Sequence, residues 1–398
     1  MVSRTFHRKK LDNGVTVLFE QRDIPVIAVA SSVRYGAQFE TASEKGISHF
    51  IEHLVFKGTK NRSVVEIPKD IEGKGGVLNA FTSEEITCFW NKLPSKYFSL
   101  GADVSRDLIL HPLFERHALE RERKVILEEI KMYRDDPSTY VLEKIKELLY
   151  EKPFNMSIAG THESVSTLSR DAVIALHKKI CTANNIIFSA VGDADFNDII
   201  AEAKKFPKTS YSVPPVHIIP RYSTLIEKRK GIDQAHAVVG FHRPMMRGIQ
   251  RYASEIFDSI LGGGMSSRLF QGLREKRGLC YAVKSNLEQS RDYAYELVYV
   301  GTIKEKIQTV KRIILGEIKK LNRLDIRELS EAKERLIGLT NISKEKCDAT
   351  MMDLLHEELA GNAENYYRYE KYIGAVSLHD VRQLSKLSGY SFISLVPH

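Results

Sequence analysis

The hydrophobic pattern near the start of the chain predicts strands, because apolar residues lie in short runs bounded by turn-forming residues. Residues 11–17 contain the pair Asn13-Gly14, which is typical of a tight hairpin turn. Residues 24–30 form an apolar run that indicates a buried strand. Two glycines open the segment 75–83, which has the pattern of a further strand.

Two other segments have the pattern of helices. Residues 44–58 carry glycine near each end, and apolar side chains recur between them at helical spacing. These apolar residues are Ile47, Phe50, Ile51, Leu54 and Val55. Residues 115–134 contain no Gly or Pro and are rich in helix formers. We therefore expect a short amphipathic helix packed against a sheet, and later a long helix.

The short helix carries residues suited to metal binding. His49 and His53 are four apart, so both imidazoles lie on one helix face, and Glu52 falls on that face too. Imidazoles are common zinc ligands, and a nearby carboxylate can take a proton from water that a metal activates. A chain of this composition has such a pattern by chance about one time in twenty. The alternative is that the histidines only make local hydrogen bonds.

A catalytic zinc site needs a third protein ligand and leaves a fourth position for water. The long helix offers Glu122 and Glu129, which are seven apart and share a face. Its other charged residues are expected to form a solvated surface; they include Glu120, Arg121, Arg123 and Glu128.

The order H-x-x-E-H, with a glutamate 76 positions after His53, resembles the pitrilysin and mitochondrial-processing-peptidase superfamily of zinc peptidases. In that family a glutamate in a phrase similar to residues 125–129 is the third zinc ligand. The resemblance therefore implies one Zn²⁺ per chain, held by His49, His53 and Glu129. It also implies that Glu52 is the general base and that Glu122, one heptad before Glu129, supports the site.

Residues 75–83 resemble the family's edge strand, whose free backbone groups bind an extended peptide by strand addition. The resemblance implies that Asn79, Ala80 and Phe81 contact substrate, with Asn79 and Ala80 nearest to the scissile bond. The alternative is an ordinary hairpin strand with Asn79 in a bulge.

The segments 261–270 and 273–281 resemble the family's glycine-rich loop and its Arg and Tyr seven apart, which are Arg274 and Tyr281 here. A guanidinium can hold a substrate carbonyl or carboxylate, and a phenol can donate to a developing oxyanion. Three successive glycines could also form a phosphate cradle or a plain turn, but no Lys-Ser/Thr pair follows at P-loop spacing.

The two halves of the chain contain similar sequence patterns. Residues 48–55 can be laid over residues 254–261 so that apolar positions coincide, while the histidine positions become Glu255 and Ser259. Four of the 12 prolines cluster between residues 206 and 220, which indicates a boundary. We predict an N-terminal zinc-binding catalytic domain (1–208), a linker (209–222), and a homologous C-terminal domain (223–398) that lacks the metal site and supplies the Arg and Tyr contacts.

The resemblance implies an α+β fold of two duplicated α/β-sandwich domains, each a mixed, largely antiparallel sheet covered by helices, together forming half of a clamshell. The implied activity is hydrolysis of unstructured peptides or presequences inside a closed chamber. A second chain would complete the chamber, so we expect a homodimer or a heterodimer with an inactive relative. A catalytically silent subunit of the same fold and a zinc hydrolase acting on other substrates are the alternatives.

Composition narrows the class of protein. With 398 residues and 43% hydrophobic content, the chain can bury large cores. The net charge of +8 is spread among 51 acidic residues without a long basic run, so nucleic-acid binding is not expected. The four cysteines form no C-x-x-C pair and suit a reducing compartment. Neither a signal-peptide pattern nor an 18-residue apolar stretch occurs, so we expect a cytoplasmic enzyme without a membrane span.

Overall fold

The computed structural model describes residues 5–398, in which strands and helices follow the order expected for a repeated α+β unit. The strands are β1 (Thr5–Lys10), β2 (Thr16–Gln21), β3 (Val26–Val33), β4 (Val77–Thr82), β5 (Thr87–Pro94), β6 (Ile186–Gly192), β7 (Thr224–Arg229), β8 (Ala235–His242), β9 (Ala282–Gln289), β10 (Ala294–Thr302) and β11 (Ser391–Pro397). The helices are α1 (Ile47–Val55), α2 (Glu66–Glu72), α3 (Phe98–Leu110), α4 (Arg116–Asp135), α5 (Pro137–Leu149), α6 (His162–Thr167), α7 (Arg170–Ile180), α8 (Phe196–Lys204), α9 (Gly248–Leu261), α10 (Ile307–Lys320), α11 (Ile326–Ser343), α12 (Cys347–Ala360), α13 (Tyr369–Ala375) and α14 (Leu378–Gln383).

The chain packs into two compact units, each assembled from three segments. The first unit takes the chain up to Ile130, then Met156–Val216 and Ser343–Tyr366; the second takes Lys131–Asn155, His217–Ile342 and Tyr367–His398. The predicted domains 1–208 and 223–398 describe the duplication in the sequence, whereas the two units describe packing. The predicted domain boundaries therefore stay a prediction. Packing assigns α5 to the second unit and α12 to the first.

A six-stranded sheet in the order β1-β2-β6-β3-β5-β4 organises the first unit. Only β2 and β6 pair in parallel, and the other neighbours are antiparallel. Because side chains alternate between the two faces of a strand, Phe19 belongs to the apolar cluster that includes residues of α1, α3 and α7, whereas Leu18 belongs to the cluster that includes residues of α12. Helices thus cover both faces, which explains why the central strands β3 and β6 are almost wholly buried.

The second unit repeats this arrangement with a five-stranded sheet in the order β7-β11-β8-β10-β9. Its one parallel pair is β7 with β11, which matches β2 with β6 in the first sheet. One face packs with α9 and α10, and the other packs with α5. Two mixed sheets covered by helices confirm the predicted fold class.

The local predictions for the first half are confirmed. Asn13-Gly14 lies in the turn between β1 and β2, and Gly14 has a φ of +106°, which glycine adopts without strain. The short helix is α1, the long helix is α4, and β4 lies at an edge of its sheet.

Candidate metal centre

The start of α1 is fixed by a buried carboxylate. Glu40 accepts hydrogen bonds from the backbone amides of Gly46 (3.0 Å) and Ser48 (2.8 Å), which places a negative charge at the helix N-terminus. The ammonium of Lys45 lies 3.9 Å from Glu40, and both side chains are fully buried. Gly46 has a φ of +95°, and a β-carbon there would lie 2.7 Å from the carbonyl oxygen of Ala159. The helix therefore begins at a defined position and orientation.

Two histidines of α1 and one glutamate of α4 converge on a common point. The Nε2 atoms of His49 and His53 lie 3.8 Å and 3.7 Å from Oε2 of Glu129. Among residues 5–398, these three residues form the one group of His, Cys, Asp and Glu found with ligand atoms all within 4.8 Å of one another. A tetrahedral zinc ion with bonds near 2.0 Å would separate its ligands by roughly 3.3 Å. The donor set and its spacing therefore fit zinc, and Glu129 rather than Glu128 lies beside the histidines.

The environment of His49 favours its neutral form. Burial, together with the neighbouring His53, lowers the pKa of His49 to about 4, although Glu129 opposes the shift. Only a neutral imidazole can offer a lone pair to a metal. His49 is therefore ready to bind a metal across the neutral pH range.

Glu122 holds the second ring nitrogen of His53. The distance from His53 Nδ1 to Glu122 Oε2 is 3.4 Å, and the other oxygen of Glu122 lies 3.1 Å from the ammonium of Lys57. Such a carboxylate partner commonly fixes the orientation of a histidine that binds zinc through its other nitrogen. Sequence reasoning missed Lys57; its position four residues after His53, on the same face, was the available signal.

Glu52 lies beside this cluster and is tied to the edge strand. Its Oε2 accepts a hydrogen bond of 2.5 Å from the hydroxyl of Thr82, the last residue of β4. Burial raises the pKa of Glu52 and Glu129 raises it too, whereas Thr82 and His53 lower it. A carboxylate with a raised pKa is suited to accepting and returning a proton. Thr82 was missed from the sequence, although it lies in the segment proposed to bind substrate.

The predicted substrate strand has a free edge. Of the described strands, only β5 pairs with β4, with Asn79 opposite Trp90 and Ala80 opposite Phe89. The amide of Ala80 donates to the side chain of Asn79 at 2.8 Å. The strand thus offers backbone groups that could pair with an added strand.

Arg274 and Tyr281 belong to the second unit. Arg274 lies in a short π-helical stretch, Phe270–Glu275, with its guanidinium 4.8 Å from the ring centroid of Phe270. The ring of Tyr281 packs against bare Gly301, where a β-carbon would lie 2.3 Å from the phenol oxygen. Tyr281 is 45% exposed.

A chain of hydrogen bonds extends behind Tyr281. Its phenol hydrogen-bonds that of Tyr299, and burial together with Tyr281 raises the pKa of Tyr299. The phenol oxygen of Tyr299 lies 2.8 Å from Nδ1 of His236. Tyr299 and His236 therefore orient Tyr281, and neither was predicted from the sequence.

Across residues 5–398, no helix is both long and apolar enough to cross a membrane.

Comparison with known proteins agrees with the duplicated architecture. Residues 16–162 match the family model described as Insulinase (Peptidase family M16), and residues 167–336 match the model described as Peptidase M16 inactive domain. The two matches follow each other along the chain, and the second begins within the first half.

Bacterial relatives cover nearly the whole chain. An uncharacterized zinc protease of Bacillus subtilis is 29% identical over 95% of this chain and 94% of its own length. One from Mycobacterium leprae is 31% identical over 77% of this chain and 71% of its own. A protease from Helicobacter pylori has a TM-score of 0.91 at 20% identity, with 100% of both chains covered, and a putative M16-like peptidase from Alicyclobacillus acidocaldarius has a TM-score of 0.85 at 17% identity, covering 100% of this chain and 99% of its own.

Two sheets of matching strand order, with a cluster of two histidines and a glutamate on helices α1 and α4, are the features of a metallopeptidase class. The chain belongs to peptidase family M16, the insulinase and pitrilysin-like peptidases.

Proposed function

We propose that this protein is a zinc-dependent endopeptidase that hydrolyses unstructured peptides or presequences. The observation that carries the proposal is the convergence of His49, His53 and Glu129. Glu52 lies beside them on α1, the helix of the two histidines. These residues would hold one Zn²⁺ per chain. A bound zinc ion supplies Lewis acidity, which polarises a carbonyl oxygen and makes water nucleophilic near neutral pH.

Glu52 acts as the general base in this proposal. Its carboxylate takes a proton from the attacking water and returns the proton to the leaving amine. The hydrogen bond from Thr82 supports this role because it fixes one carboxylate oxygen and leaves the other free to exchange the proton. Glu122 is a positioning residue, since it acts through the ring of His53.

Substrate contacts come from both units. The free edge of β4, with Asn79, Ala80 and Phe81, aligns the peptide by strand addition, which keeps the reacting atoms near attack distance. Arg274 holds a carbonyl or carboxylate of the peptide, and the Tyr281 hydroxyl donates to the developing oxyanion. The exposed Tyr281 phenol and the chain of hydrogen bonds behind it support this assignment.

The proposal extends to a chamber that two chains enclose. A closed chamber would admit unfolded peptides and exclude folded proteins. Because H-x-x-E-H and the Arg274/Tyr281 pair occur in one chain, we favour a homodimer over a heterodimer with an inactive relative. A cytoplasmic location stays a prediction.

The test compares wild type with Glu52→Gln, using Glu128→Gln on the exposed face of α4 as the matched control. Cleavage of a quenched library of unstructured peptides is measured with purified protein, and bound zinc is quantified in all three proteins. We expect wild type and Glu128→Gln to cleave, and Glu52→Gln to keep its zinc while losing activity about 10²- to 10⁴-fold.

Two results would overturn the proposal. If wild type binds zinc but cleaves no peptide, the protein is a catalytically silent subunit or acts on other substrates, which esters and phosphoesters in the same screen would reveal. If Glu52→Gln retains full activity, the general base lies elsewhere.

A further inference from the structure

Each residue of the candidate metal centre has a counterpart 206 positions later in the second unit. The equivalence follows the element order, because α1 lies between β3 and β4 as α9 lies between β8 and β9, and α4 follows α3 as α11 follows α10. The five pairs are His49 and Glu255, Glu52 and Asp258, His53 and Ser259, Glu122 and Glu328, and Glu129 and Arg335. Both histidines are lost, and the metal-facing glutamate has become a cation.

The contact of α1 with α4 has an equivalent in the contact of α9 with α11, although the chemistry of the two contacts differs. In the first unit Glu129 of α4 faces His53 of α1 at 3.7 Å. In the second unit Arg335 of α11 faces Ser259 of α9, with Nη1 donating to the Ser259 hydroxyl at 2.8 Å and to its carbonyl at 3.3 Å. The equivalent positions therefore meet in both units.

Asp258, the counterpart of Glu52, also interacts electrostatically with the guanidinium of Arg335. Burial raises the pKa of Asp258, while Ser285, Arg243 and Arg335 lower it. The carboxyl group that stands beside the metal position in the first unit thus has its counterpart near Arg335 in the second.

The glycine-rich loop, defined here as residues 262–264, lies directly on this guanidinium. A β-carbon on Gly263 would be 2.6 Å from Nη1 of Arg335, and one on Gly264 would be 2.7 Å from Nη2. Gly264 has a φ of +155°, and its counterpart 206 positions earlier, Gly58, has a φ of +123°. Gly263 and Gly264 let the backbone approach the cation closely, whereas Gly262 packs against Ser285. These contacts explain a motif that the proposed metal chemistry does not use.

We propose that the guanidinium of Arg335 takes, in the second unit, the place that the metal ion takes in the first, and that this permanent cation positions the glycine-rich loop. Arginine stays protonated at every physiological pH, so the second unit keeps a central positive charge without any metal. The comparison with a metal rests on the proposed zinc site at His49, whereas the role of Arg335 in the loop does not.

The first experiment measures hydrogen exchange of the loop amides by mass spectrometry in wild type, Arg335→Met and Arg335→Lys. The control is Arg327→Met on the same helix, because Arg327 is 87% exposed and pairs with Glu331 on the surface. We expect exchange at residues 262–265 to rise about tenfold or more in Arg335→Met, to be partly restored in Arg335→Lys, and to stay at the wild-type rate in Arg327→Met. Equal exchange in Arg335→Met and wild type would overturn the proposal.

The second experiment rebuilds a metal site. In a His49→Ala/His53→Ala background, the substitutions Glu255→His, Ser259→His and Arg335→Glu are added, and binding of Zn²⁺ alone is measured by equilibrium dialysis, with folding checked by circular dichroism. We expect about one zinc per chain with the added substitutions and none without them. A folded variant that binds no zinc contradicts the equivalence, and if the variant does not fold, the hydrogen-exchange result decides. Failure of wild type to bind zinc would instead refute the proposed function.

Discussion

Individual side chains in this protein acquire their chemistry from neighbours that are distant in sequence. The long helix α4 carries several glutamates: Glu129 lies against His49 and His53, and Glu122 lies against His53, whereas Glu128 is exposed. Residue type alone does not distinguish Glu129 from Glu128. The helix face does, because successive residues on a helix point about 100° apart.

The hydroxyl of Tyr299 gives a prediction at this scale. Tyr299→Phe removes only the oxygen that links Tyr281 to His236, so the Tyr281 phenol loses its orienting partner. The net value of one hydrogen bond is about 1 kcal/mol, so we expect kcat for peptide cleavage to fall about fivefold with little change in KM. The control is Tyr222→Phe, which loses a 2.8 Å bond to Ser388. A rise in KM at constant kcat would show that Tyr299 acts on binding instead.

The buried side chain of His177 makes the free energy of unfolding depend on pH. Burial lowers its pKa to about 4 from an ordinary 6.5, and its Nε2 lies 2.8 Å from the carbonyl oxygen of Ile109. The unfolded chain therefore binds a proton at a higher pH than the folded chain does, so stability is lost as pH falls from 6.5 towards 4. This group contributes a loss of about 2 kcal/mol between pH 7.5 and pH 5.

The measurement is the urea midpoint of His177→Gln at these two pH values. We expect this variant to be less stable than wild type at pH 7.5 and to lose less stability on acidification, whereas His117→Gln should keep the wild-type pH dependence because His117 is 72% exposed. An unchanged pH dependence in His177→Gln would assign the acid sensitivity to other groups.

At the scale of elements, α1 depends on the buried pair of Glu40 and Lys45. Glu40→Gln leaves the Lys45 ammonium buried without its carboxylate, so we expect a loss of about 3 to 5 kcal/mol in the free energy of unfolding and weaker zinc binding. Glu44→Gln, a half-buried neighbour outside this pair, is the control. The double variant Glu40→Gln/Lys45→Met should recover much of the stability, and failure to recover would show that the amide hydrogen bonds of Glu40 dominate.

Elements with a local signal could be predicted from the sequence. The apolar period of residues 44–58 and the absence of Gly and Pro from residues 115–134 identify α1 and α4, because these signals depend only on near neighbours. Contacts such as Thr82 with Glu52 and Arg335 with Ser259 could not be predicted, since each joins elements whose approach depends on the tertiary fold.

At the scale of the whole molecule, the sequence also does not predict which helix covers which of the two sheets. The apolar face of α12 predicts that this helix packs on something apolar, but nothing in that face specifies which of two similar sheets it covers. The structure places α12 with β3 and β6 of the first unit, and α5 with β8 and β11 of the second. Each half of the chain therefore supplies a helix to the other half's sheet.

Because a helix from the second half covers its sheet, we predict that the first half does not fold alone. A fragment of residues 1–208 lacks Met351, Leu354 and Leu355, which are almost fully buried with Leu18 and other sheet residues. Burying three such side chains is worth roughly 5 to 9 kcal/mol, which is comparable to the whole stability of a domain. We expect the fragment to show no cooperative thermal transition, and a fusion of residues 343–366 through a Gly/Ser linker to restore one. The same fusion carrying Leu354→Glu is the control and should not restore it; a cooperative transition in the unfused fragment would show that the sheet is stable without its exchanged helix.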